Sequence, residues 1–131
     1  MKIMNPPVET VRISQQGRDI LLKIKRRTGL ARWNDIARAA LCRSLNNKSA
    51  PPIPEKGWDA AIEIEWKTFA GEIGDELTSI TLIRAIQDGA NIDEKTAVST
   101  YFRAHIERGI TSLQNVKDLS MYMEFTTDPE I

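Results

Sequence analysis

Glu9-Thr10-Val11-Arg12-Ile13-Ser14, followed by Gln15-Gln16-Gly17-Arg18-Asp19-Ile20-Leu21-Leu22-Lys23-Ile24-Lys25-Arg26-Arg27-Thr28-Gly29, is the stretch that decides the fold class. Residues 9–14 alternate polar and apolar, the period of a strand, with Val11 and Ile13 on the inner side. Ser14 is a strong N-cap, because its hydroxyl can take up an orphan amide of a first helical turn. From Gln15 to Thr28 the apolar residues Ile20, Leu21 and Ile24 recur at helical spacing. Gly29 stands where a helix C-cap calls for positive φ. Lys23, Lys25, Arg26 and Arg27 crowd the last turns, where cations favour the carbonyl end of the helix dipole.

Outward from this stretch, residues 30–32 make a tight connection into a second helix, Trp33 to about Leu45. Its inner face is Ile36, Ala37, Ala40, Leu41 and Leu45, with alanines that permit close helix approach. Three prolines at 51, 52 and 54 stiffen the segment after it. Residues 61–67 alternate again, Ile62, Ile64 and Trp66 against Glu63, Glu65 and Lys67, and read as a strand or extended edge. A third helix is expected over about 72–87 with Ile73, Leu77, Ile80, Ile83 and Ile86 inward. Asp88-Gly89-Ala90-Asn91 is a turn. A fourth helix is expected over about 93–115, with Ala97, Val98, Tyr101, Phe102, Ile106, Ile110 and Leu113 as its apolar stripe. Gly109 inside that helix costs about 1 kcal/mol against alanine and suggests a close helix contact. Beyond Val116 the chain carries Met121, Tyr122, Met123 and Phe125.

The fold class is therefore mainly α: a strand–helix–helix unit, a Pro-rich linker and two further helices. We expect one domain over 1–131, with a basic subdomain at 8–46, a linker at 47–57, a helical subdomain at 58–115 and a tail at 116–131. A chain of 131 residues with 41% hydrophobic residues can bury a core, and oligomerisation is a natural way to complete one this small. No apolar run approaches the roughly 18 residues of a membrane span. The N-terminus lacks a signal peptide's apolar stretch, and the single cysteine, Cys42, fits a reducing cytoplasm.

A formal net charge of zero conceals a polarised chain. Residues 1–50 hold eleven Lys and Arg against three Asp and Glu, a net +8, which the remainder balances with −8. Such a molecule presents positive potential to a polyanion, or its two halves attract each other within or between subunits.

Strand, helix, glycine turn, helix is also the order of a ribbon-helix-helix unit, in which strands from two subunits pair into a ribbon that can enter the DNA major groove. Pairing would place Val11 and Ile13 over a shared core and turn Thr10 and Arg12 outward. Amides near Arg32, Trp33 and Asn34 are placed to accept a phosphate. Lys23, Lys25, Arg26 and Arg27 would add sequence-independent backbone contacts. The alternative is a two-helix packing module with a solvated basic face. Ala31 and Arg32 replace the usual Ser or Thr cap, and Arg12 is the lone charge on the reading face, so phosphate contact fits better than base reading.

Several segments resemble the DndE family. They are Val11-Arg12-Ile13-Ser14, Leu22-Lys23-Ile24-Lys25-Arg26-Arg27-Thr28-Gly29, Trp33-Asn34 and Arg38-Ala39-Ala40-Leu41-Cys42-Arg43-Ser44-Leu45. Trp66-Lys67-Thr68-Phe69-Ala70-Gly71-Glu72 and Tyr101-Phe102-Arg103-Ala104-His105-Ile106-Glu107-Arg108-Gly109-Ile110 complete the pattern, over about 8–113. The resemblance implies a small helical protein related to ribbon-helix-helix units, acting where sulfur replaces a non-bridging phosphate oxygen of DNA. It implies that desulfurase, iron–sulfur and ATP-hydrolysing chemistry sit on other subunits. It further implies an oligomer, a tetramer fitting, that binds DNA with a suggested preference for nicked duplex. Arg103, His105 and Arg108 belong to the shared pattern and are candidate phosphate-facing groups.

Catalysis finds little support in the residues. One His and one Cys do not make a metal cluster, no Gly-Lys-Ser/Thr phosphate loop occurs, and no cofactor is expected. Cys42 reads as a small core residue, a sulfur-carrying role requiring an exposed thiolate. His105 reads as structural, or as a phosphate contact beside the two arginines. Trp33 reads as buried, or as a platform for a base at a nick. Trp58 and Trp66 read as core or interface anchors. The leading expectation is a non-enzymatic, oligomeric DNA binder acting through Arg12, Lys23, Lys25, Arg26, Arg27 and Arg32 alongside other subunits of the modification complex. A ribbon-helix-helix repressor and a protein-only assembly adaptor remain as rivals.

Overall fold

A computed structural model describes residues 5–29 and 32–114. In chain order the elements are β1 (Thr10–Ile13), α1 (Gln15–Thr28), α2 (Trp33–Leu45), β2 (Ile62–Glu65), α3 (Trp66–Ala70), α4 (Gly74–Gln87) and α5 (Lys95–Leu113). A single 3-10 turn, Gly71–Ile73, joins α3 to α4. The protein is mainly helical with one small antiparallel sheet, as the periodicities imply.

Local chemistry explains where α1 begins and ends. Ser14 is extended, and its Oγ accepts the Gly17 amide at 3.0 Å. Gly29 adopts φ 75°, and its amide donates to the Lys25 carbonyl at 3.0 Å. α2 starts at Trp33 without a side-chain cap, and Asp35 in its first turn supplies a charge that suits the helix dipole.

β1 pairs with β2 of the same chain, in the register Thr10–Glu65, Val11–Ile64, Arg12–Glu63 and Ile13–Ile62. The strand that the sequence reading paired with a partner's copy thus has a partner within its own chain. Both strands alternate in the same phase, so one register sets apolar residues opposite apolar residues and polar opposite polar. Two further bonds extend the pairing, Ala61 N to Ile13 O at 2.8 Å and Trp66 N to Glu9 O at 3.0 Å. The Pro-rich linker thus lies between segments that pack on one another.

α2 and α5 form the centre of the molecule. At Gly109 a Cβ would lie 1.9 Å from the Ala40 carbonyl oxygen, so only glycine permits this crossing. Trp66, Phe69 and Phe102 cluster beside it with ring centroids 5.6–6.0 Å apart. Val11, Ile13, Ile20, Leu21, Ile24, Ile36 and Leu41 are buried on the strand and first two helices, matching the inner faces read from sequence.

α4 departs from expectation. Leu77 is buried, but Ile73, Ile80, Ile83 and Ile86 are 42–58% exposed, and the inner face is made of Leu77, Thr78, Thr81 and Ala85. The threonines can be inside because their hydroxyls donate to helix carbonyls one turn back, Gly74 O and Leu77 O, both at 2.8 Å. Small side chains there let the helix lie close to its neighbours. The connection residues Leu30 and Ala31, the expected helix end at Asn115 and the apolar residues beyond Val116 lie outside the described residues. No described helix is long and apolar enough to cross a membrane.

Candidate nucleic-acid interface

The end of α1 and the start of α2 carry a group of cations. Lys23, Arg26, Arg27 and Arg32 are exposed, and Lys25 is half-buried. Lys25 Nζ lies 5.5 Å from the Trp33 ring centroid, which ties the two helix ends together and keeps its charge at the surface. Lys23, Arg26 and Arg32 form no ion pair with any described residue. The one acid on α1, Asp19, sits near its other end and accepts from Gln15 Nε2 at 3.0 Å. Trp33 is half-buried against the core. Asn34 next to it is turned inward, donating to Thr68 O at 2.9 Å.

The other cations selected from the sequence are held differently. Arg12 does face outward on the ribbon, but Glu63 stands opposite, 3.9 Å from its Nε, and Glu65 opposes Thr10. The outward face of the ribbon is therefore acidic on one strand, a poor fit to a DNA groove. Arg103 Nε donates to Glu107 at 3.1 Å, its Nη2 donates to the Asp59 carbonyl, and its guanidinium lies 5.2 Å from the Trp58 ring centroid. Glu107 in turn accepts from Ser14 N at 2.8 Å and Ser14 Oγ at 2.7 Å, so it joins the α1 cap to α5. Arg12 and Arg103, far apart in sequence, line one shallow depression of about 170 Å3 with Thr10, Trp58, Ser99 and Thr100. Each already has a carboxylate partner there.

Arg108 closes the end of α2. Its Nε and Nη2 donate to Ser44 Oγ and Ser44 O, both at 2.8 Å, and its Nη1 donates to Ser49 O at 2.7 Å. His105 is fully buried, with Nδ1 2.8 Å from Ser44 Oγ, and Nε2 has no partner among the described residues. Burial first, then the charges of Arg108 and Arg84, push the imidazole down to about 4, so it is neutral at pH 7. Tyr101 packs edge-on against it and donates to Asp88 at 2.5 Å; burial and that bond raise the phenol. Arg103, His105 and Arg108 thus do not share an outward face, and their bonds join α5 to α2 and to the loop residues Ser49 and Asp59.

Sequence reading missed Arg84, the third arginine of this interior network. It donates to Leu45 O at 2.5 Å and pairs with Asp88 at 3.4 Å. The i, i+4 spacing of Arg84 and Asp88 was the available signal. Cys42 is half-buried, and burial raises its thiol, which disfavours the thiolate a sulfur carrier needs.

Comparisons place this arrangement among known proteins. No curated protein matches the chain. Its fold is similar to that in the crystal structure of DndE from Escherichia coli B7A, a protein described as involved in DNA phosphorothioation modification. The TM-score is 0.63 and the identity 28%, covering 81% of this chain and 97% of the other. The family model described as DNA sulphur modification protein DndE matches residues 10–121, which spans β1 through α5 and therefore both the basic helix junction and the interior arginine network: the chain belongs to the DndE family.

Proposed function

We propose that this protein is a DNA-binding, non-catalytic member of its modification system, which grips duplex DNA through phosphate contacts from the α1–α2 junction. The family belongs to DNA sulfur modification, and the crystallised relative is tied by its description to phosphorothioation. The observation that carries the DNA reading is the group Lys23, Lys25, Arg26, Arg27 and Arg32: one helix junction, at the surface, with Asp19, a turn before Lys23, as the single acid of α1. Such a group neutralises phosphates without reading bases. Amides at the uncapped start of α2 fit the same role, and Trp33 beside Lys25 offers an aromatic edge at a break in the duplex.

The ribbon's paired carboxylates count against a groove-reading repressor, and the raised Cys42 thiol counts against sulfur transfer by this chain. The test is a binding titration on intact, nicked and single-stranded DNA of the same sequence at two salt concentrations. The reading expects affinity that falls steeply with salt, little dependence on sequence, and tighter binding to nicked than to intact duplex. Equal, salt-insensitive retention of all three, or a strong preference for one duplex sequence, would overturn it. In the cell the protein is expected to work in the cytoplasm beside the other modification subunits, and as a homo-oligomer.

A further inference from the structure

We draw no further inference here: the strongest candidate, the polar depression at the ends of α2 and α5 that Arg43, Asn46, Asn47, Arg108 and Ser112 line, carries nothing, because its two arginines already donate to Ser112, Ser44 and Ser49 and the carbonyl ends of both helices oppose the anion it would have to hold.

Discussion

Arginine and lysine do two different jobs in this molecule, and the α1–α2 junction and the α5 network show the contrast. At the junction Lys23, Arg26 and Arg32 face solvent with no ion pair to any described carboxylate. Along α5, Arg103 and Arg108, joined by Arg84 from α4, close carbonyls and carboxylates between elements. Both groups look alike in a charge count. Only the partners distinguish a cation available to a phosphate from one that holds helices together. A surface ion pair contributes little, whereas an arginine serving several buried acceptors is costly to remove.

The sharpest break of this comparison is Arg108→Ala. It removes the guanidinium donors from Ser44 O, Ser44 Oγ and Ser49 O, which keep Asn47 N, His105 and Arg84 as partners, and should destabilise the fold by about 3 kcal/mol, measured by urea denaturation. DNA affinity of the folded fraction should be unchanged.

The same network gives a pH effect of similar size. His105 binds a proton less readily folded, at about 4, than its ordinary 6.5, so the unfolded chain takes up the proton first. Stability is therefore full above about pH 6.5 and is lost as pH falls from there toward 4, by up to about 3 kcal/mol. Asp88 opposes this shift and Arg84 and Arg108 enlarge it. His105→Asn should flatten the stability–pH curve over that window; an unchanged slope would contradict the burial argument.

At the junction, replacing Lys23, Lys25, Arg26 and Arg27 together by alanine should weaken duplex binding about 100-fold at low salt and reduce the salt slope by about 3. Thermal stability should hardly move. The smallest effect belongs to Arg12→Ala, whose exposed pairing with Glu63 is worth less than about 0.5 kcal/mol. Its DNA affinity should stay within about twofold of the parent, since Glu63 already offsets the charge.

Much of the fold was legible because it is governed locally. Ser14 and Gly29 bracket α1 through bonds made within four residues, and the stripe of α5 is regular enough to find its core face. Gly109 announced a close crossing, and Ala40 supplies it. What failed depended on distant partners. The strand at Thr10–Ile13 pairs with Ile62–Glu65, and alternation alone cannot say whether the complementary strand belongs to the same chain. On α4, ranking by hydrophobicity turned the isoleucines inward, whereas threonines satisfied by their own helix occupy that side. The cations of the site were legible as types at positions. Their availability was not, because Glu63 and the carbonyls of Ser44, Ser49 and Asp59 reach them only through tertiary structure.

The two-stranded sheet has a consequence for how the chain reaches its native state. A ribbon assembled from two polypeptides couples folding to encounter, so the melting midpoint shifts with protein concentration. Here each polypeptide brings both strands, so closing this sheet does not itself require an encounter between chains. A dependence of melting on dilution would then report the contacts that join subunits rather than the pairing of these strands.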